Sequence, residues 1–200
     1  VPVVLDAAAE LPPVGNLTKF VSMGVDLVAF SGGKGVRGPQ STGMLVGRGD
    51  LMEAAWENAF SFNKARAGIG RPMKVCKEEI VGLICALELF VDADHETEWA
   101  EWRSKSAHIV DHVKHVPGLD ARVHEGIVYE GPGSPTALVV LDEDWEGRSV
   151  EEVQAAMLVD EPPIYVGVGP EPRELWVAPV ALQEGEEDLV ARRLLAALTG

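Results

Sequence analysis

Two cysteines in 200 residues, Cys76 and Cys85, are too few for a disulfide framework, and their spacing fits no metal-binding motif. Both fall in a helical pattern, so a reduced, cytoplasmic setting is expected. No apolar run approaches the ~20 residues that a bilayer-spanning helix needs. The first residues show no basic-then-apolar secretory signal. Cations are scarce: 17 Lys plus Arg stand against 32 Asp plus Glu, a net charge of −15. That balance repels nucleic acid unless a basic patch is concentrated somewhere. Lys64, Arg66, Arg71, Lys74 and Lys77 form only a loose group, so a nucleic-acid partner is not expected. Aromatics make up 6% of the chain, and the five Trp are scattered. Trp99 and Trp102, at i and i+3, read as packing. No internal repeat or low-complexity tract is present.

What is present is a soluble globular composition, 46% apolar, long enough to bury one large or two small cores. Its most informative segment is Ser31-Gly32-Gly33-Lys34-Gly35-Val36-Arg37-Gly38-Pro39-Gln40. It follows the apolar run Val25–Phe30 and precedes Thr42–Val46. Upstream, the run Val1–Leu5 ends in Asp6-Ala7-Ala8. An acid and a lysine, each just past a strand-like segment, suit a pyridoxal phosphate (PLP) site. The lysine amine joins the cofactor aldehyde, and the acid pairs with the pyridinium nitrogen. A carboxylate within hydrogen-bond reach favours the protonated ring, which is the better electron sink. Glycines 32, 33, 35 and 38 permit close approach and positive φ. The Ser31 hydroxyl offers a bond to the cofactor phosphate.

Hydrophobic periodicity predicts a helix over 16–23, strands over 25–30 and 43–47, and a helix over 51–58 capped by Asp50. A basic, glycine-containing loop over 59–72 leads to helices over 77–91 and 95–115, the second ending before Pro117-Gly118. Strands over 119–125 and 136–141, a helix over 149–158, strands over 163–168 and 174–178 and a helix over 186–198 complete the chain. The β-β-α-β-β-α order of this last part suits a small α/β domain.

The lysine segment, through Gly38-Pro39-Gln40 and Gly43, resembles that of the selenocysteine synthase (L-seryl-tRNA selenium transferase) superfamily. It is most similar to the branch that includes D-glucosaminate-6-phosphate ammonia-lyase. Asp6–Pro13, Gly70-Arg71-Pro72-Met73-Lys74-Val75 and Lys77-Glu78-Glu79-Ile80 fit that branch, as do Pro162–Tyr165 and Gly185-Glu186-Glu187. The resemblance spans nearly the whole chain and implies PLP-dependent fold type I, the aspartate aminotransferase-like architecture. It implies three regions: the end of the PLP-binding large domain over 1–75, connecting helices over 76–115, and a small α/β domain over 116–200. Relatives carry a long portion before the equivalent of Val1, and Val1–Leu5 reads as a buried strand. The chain is therefore expected to be the C-terminal part of such an enzyme.

By the same resemblance, Lys34 and Asp6 are catalytic, and Asp6, Ala8, Ser31, Gly33 and Lys34 contact the cofactor. Related synthases carry Arg-x-x-Arg-Val-Asp-Lys where this chain has Arg71-Pro72-Met73-Lys74-Val75-Cys76-Lys77. Arg71 and Lys74 are thus expected to bind an anionic substrate group, although Lys is a point charge where Arg is a planar fork. The implied reaction is α,β-elimination and deamination of a hydroxy amino acid or amino sugar acid by a homo-oligomer. Alternatives are a seryl-tRNA selenium transferase, an aminotransferase or other PLP lyase, and a non-catalytic assembly piece. Three smaller features carry less. His108, His112 and His115 share a helix face and could hold a metal, but Asp111 and Lys114 are interleaved and no acidic or cysteine ligand is placed to complete a site, so they read as a solvated face and no metal is expected. Gly167-Val168-Gly169-Pro170 reads as a turn, because Pro170 and Pro172 block the helix that a phosphate cradle needs. The Glu184, Glu186, Glu187, Asp188 group reads as the acidic first turn of the last helix.

Overall fold

Leu27–Ser31 alternates as a strand must: Val28 and Phe30 are buried, while Leu27, Ala29 and Ser31 are half-buried. The computed structural model describes residues 1–59, 68–126, 133–169 and 171–200. Lys64, Arg66 and Pro170 lie outside them. Within the described residues two compact units form, Val1–His95 and Glu96–Gly200.

The first unit holds a three-stranded sheet of β1 (Val4–Asp6), β2 (Leu27–Ser31) and β3 (Gly43–Gly47), in that order. β1 and β2 run parallel, with Asp6 opposite Ala29. β3 returns antiparallel, with Gly43 opposite Ser31. The crossover from β1 carries α1 (Asn16–Ser22), and α2 (Gly49–Asn58) follows β3. A single 3₁₀ turn, Arg71–Met73, leads into α3 (Lys77–Asp92). The core joins Ala7, Leu11, Phe20, Val28, Phe30, Val36 and Phe90.

Three expectations change here. β1 is an edge strand in this sheet, and Val4 is 65% exposed rather than buried, because its outer edge meets no strand among the described residues. Asp50 does not cap α2; Arg48 holds that position in extended backbone. Asp50 instead sits in the first turn and accepts from the Arg48 guanidinium at 2.7 Å. The strand expected over 163–168 shrinks to Gly167–Val168, since the Pro162-Pro163 pair before it removes two ladder donors.

The second unit holds an antiparallel sheet ordered β4 (Leu119–His124), β5 (Thr136–Leu141), β7 (Glu174–Val177), β6 (Gly167–Val168). Ala137, Val139 and Leu141 of β5 share one core with α4 (His95–Val113), α5 (Val150–Val159) and α6 (Glu186–Thr199). Ile109, Val153 and Leu194 are fully buried there. Ser149 and Glu152 form a reciprocal capping box that starts α5. Gly185, at φ 84°, turns the chain into α6 in a conformation that suits glycine. Among the described residues, no helix is long and apolar enough to cross a membrane.

Asp26 braces the first unit. Its Oδ1 accepts from the Arg48 guanidinium at 2.8 Å, and its Oδ2 accepts from the Val3 amide at 2.7 Å. The Arg48 hydrogen bond, seconded by that amide, holds the carboxyl below its ordinary range. Such a group gives stability that is full above its unfolded pKa of about 3.9. That stability is lost as pH falls through the lower folded value. The unaltered chain should therefore lose stability below about pH 4 more steeply than Asp26→Asn. Urea midpoints across that range check this, and parallel curves would disprove it.

Candidate active site

The turn between β2 and β3 is built by close contacts rather than by left-handed glycines. A Cβ on Gly32 would collide with the Thr42 hydroxyl, and one on Gly35 with the Leu11 carbonyl oxygen. On Gly33 it would lie 2.6 Å from Gln40 Cα. None of Gly32, Gly33, Gly35 and Gly38 has a positive φ; that conformation falls on Arg37, at φ 59°. So the expected role of these glycines in close approach holds, and their expected role in positive φ does not. Backbone bonds close the turn: Gly32 N–H donates to the Thr42 carbonyl at 2.9 Å, and Gly38 N–H to the Gly32 carbonyl at 2.7 Å. Arg37 N–H donates to the Lys34 carbonyl at 2.8 Å.

α3 presses on this turn from one side. Leu83 and Ala86 lie against Gly38, and Gly82 leaves room for Pro39, whose Cγ would be 2.9 Å from an added Cβ. The Ser41 hydroxyl donates to Glu79, which also accepts from the Cys76 amide at 2.7 Å. These bonds, Ser41 first, lower the Glu79 pKa. The turn and the start of α3 are thus tied by a charge-assisted bond.

Lys34 sits exposed in this turn, three residues past β2. Its amine makes no hydrogen bond or ion pair among the described residues. Asp6 ends β1, the parallel neighbour of β2, and is also exposed. Asp6 Oδ1 accepts from the Ala8 amide at 3.0 Å, which orients the carboxylate at the strand end. Because β1 and β2 are parallel, both residues lie at the C-terminal edge of one sheet. Ala8, Ser31 and Gly33 share that edge, and all three are half-buried. The two candidate catalytic groups make no ion pair with each other, so each stays available to a ligand.

Arg71 lies in the 3₁₀ turn, and Lys74 follows it; both are exposed. Lys74 lines an open cavity of about 670 Å³ with Trp56, Met73, Val75 and Ile80. Its lining is mostly apolar, with Lys74, Lys77 and Glu78 at its rim. The structure thus separates the expected residues into a sheet-edge group around Lys34 and a loop group around Lys74. The braces that hold the first group, Leu11 and the Ser41–Glu79 pair, were not read from the sequence. Glu79 at the third position after Cys76 was the available signal, since that spacing marks a helix start.

Gly35→Ala should destabilise the first unit by about 1–3 kcal/mol, because its methyl would overlap the Leu11 carbonyl. Gly49→Ala, which meets nothing within 4 Å, should be neutral or stabilising. Urea denaturation of the two variants checks the contrast.

No protein-family model matches the chain. It is 34% identical over 199 residues to a 5'-C-glycyluridine monooxygenase-decarboxylase from a Streptomyces species, covering 97% of this chain and 45% of the relative. It is 30% identical over 124 residues to D-glucosaminate-6-phosphate ammonia lyase of Salmonella typhimurium, covering 62% and 29%. It is 28% identical over 164 residues to L-seryl-tRNA(Sec) selenium transferase of Aquifex aeolicus, covering 74% and 34%. The chain thus spans less than half the length of each of these relatives. Among solved structures, a D-glucosaminate-6-phosphate ammonia-lyase superposes with TM-score 0.67 at 26% identity, over 99% of this chain and 49% of that one. The Escherichia coli cysteine desulfurase CsdA shares the fold, with TM-score 0.59 at 19% identity, over 99% and 52%. By sequence and fold together, the chain is homologous to D-glucosaminate-6-phosphate ammonia-lyase and L-seryl-tRNA(Sec) selenium transferase, and it has the architecture of the PLP-dependent fold type I enzymes.

Proposed function

We propose that this chain carries the lysine and the acid of a PLP-dependent lyase that removes water and ammonia from a hydroxy amino acid or amino sugar acid. The observation that carries the reading is the placement of Lys34 and Asp6 at one sheet edge, one strand apart, on parallel β1 and β2. The donor set fits the cofactor: a primary amine with no partner among the described residues, on a tight turn, and an oriented carboxylate at the end of the neighbouring strand. When bound, PLP supplies an electron sink for negative charge at the substrate α-carbon.

The chain's own residues would then divide the work. Lys34 would hold the cofactor covalently, and its Nζ, once free, would take the α-proton. Asp6 keeps a proton on the ring nitrogen by placing a negative charge beside it. Ser31 and the backbone at Gly33 would bond the cofactor phosphate, and Ala8 would contact the cofactor. The β-hydroxyl would leave as water with the proton that Nζ took, giving an enamine whose imine tautomer is hydrolysed to release ammonia. Arg71 and Lys74 bind the anionic end of the substrate. The two free cysteines agree with a cytoplasmic setting, and a homo-oligomer is part of the same reading. The net charge of −15 argues for a small substrate rather than tRNA.

A second reading rests on the Streptomyces relative, with its 34% identity over 97% of this chain. Here the bond broken at the α-carbon is the one to the carboxyl group, with dioxygen as co-substrate. Product analysis separates the two. Ammonia release from D-glucosaminate 6-phosphate without oxygen supports the lyase. Oxygen uptake with carbon dioxide release from a glycyl nucleoside supports the decarboxylase.

The site assignment has its own test. Borohydride reduction of the PLP-treated protein, followed by peptide mapping, should place a pyridoxyl group on Lys34. A label on another lysine would remove Lys34 from the site. Asp6→Asn should still be labelled but should turn over slower by orders of magnitude, and near-normal turnover would refute its role.

Arg71→Ala should raise KM for a phosphorylated substrate by about tenfold or more, with a smaller effect on its neutral analogue. Equal changes for both substrates would show that Arg71 only supports the loop.

A further inference from the structure

We propose that His108, His112 and Asp188 form a binding site for a divalent transition-metal cation of the Zn²⁺ class, which ties α4 to α6 within the second unit. One donor atom from each of the three lies within 4.8 Å of the others. His108 and His112 stand one turn apart on α4, with ring centroids 4.5 Å apart. The third donor comes from 76 residues beyond His112, in the first turn of α6.

The hydrogen bonds already orient two of the donors. His112 Nδ1 lies 2.9 Å from the His108 carbonyl oxygen, so Nδ1 carries the proton and donates it there. That leaves the Nε2 lone pair of His112 for a cation, the arrangement by which a second partner fixes a metal-binding imidazole. His108 Nε2 lies 2.7 Å from Asp188 Oδ1. The other oxygen of Asp188, Oδ2, faces Arg192 Nη1 at 3.8 Å. Asp188 therefore turns one oxygen to the imidazoles and the other to a cation that balances its charge.

The scaffold beneath is rigid. Ile109 and Val113 of α4 share a buried core with Val190, Ala191 and Leu194 of α6. Two imidazoles and one carboxylate suit Zn²⁺, with a fourth position left for water. Metal–ligand bonds of ~2.0–2.2 Å set tetrahedral donors about 3.4 Å apart. Reaching that spacing requires the His108–Asp188 bond to open and the other pairs to close. Both side chains have room to rotate, being 38% and 53% exposed. A neighbouring pair is already engaged, since Asp111 accepts from Lys114 at 2.6 Å. His115, in the turn past the end of α4, falls outside the cluster.

The test is Zn²⁺ titration by calorimetry on the chain carrying Cys76→Ser and Cys85→Ser, which removes thiol binding. One micromolar-class site is expected. His112→Ala should weaken it about tenfold or more, whereas His115→Ala should leave it within about twofold. His108→Gln, which keeps a hydrogen-bonding side chain beside Asp188, is a second variant and should also lose the site. Zn²⁺ should raise the Tm of the parent and of His115→Ala, but not of His112→Ala. Binding in the millimolar range only, or equal affinity in the parent and in both His112→Ala and His108→Gln, would overturn the proposal.

Discussion

The first unit depends on how closely backbone can approach backbone around Lys34. Gly35 lies against the Leu11 carbonyl, Gly33 against Gln40, and Gly32 against Thr42, at distances that no side chain tolerates. These contacts fix the turn between the β1–α1 connection on one side and α3 on the other. A lysine tethered by four rotatable bonds gains precision only from the backbone that carries it. The compact turn supplies this, and the residues that compact it are those that cannot be enlarged.

The two units reach order by different means. The second has a large apolar core, with three helices stacked on one sheet, and α5 begins with the reciprocal Ser149–Glu152 cap. The first has a smaller core and relies more on polar bracing. Asp26 links β1 to the start of α2, and Ser41 links the lysine turn to α3.

Much of this was legible in the sequence because the signals were local. Gly43 and Gly47 bound a strand, the apolar spacing of Ile80, Leu83, Ile84 and Leu87 marked a helix, and Ala137–Leu141 is an unbroken apolar run. The tight turn between β2 and β3 was legible because it is dense in glycine and flanked by apolar runs. What escaped was long-range or conditional. The positive φ of Arg37 follows from the turn's closure and not from its own residue type. Asp50 looked like a cap, but Arg48 beside it is extended and captures its carboxylate. Asp188 joins two histidines only because the core sets α6 against α4, and no spacing along the chain encodes that.

α3 meets the rest of the unit at three heights. Glu79 holds Ser41 near its start, Gly82, Leu83 and Ala86 bear on the lysine turn midway, and Phe90 enters the core near its end. A helix of 16 residues is about 24 Å long and resists bending. It therefore acts as a splint whose axial position sets that of the turn. A slide of one ångström along its axis would drive Leu83 and Ala86 across Gly32 and Gly38. The backbone of the lysine turn is thus registered against a rod, so its position is as constant as the seating of Phe90.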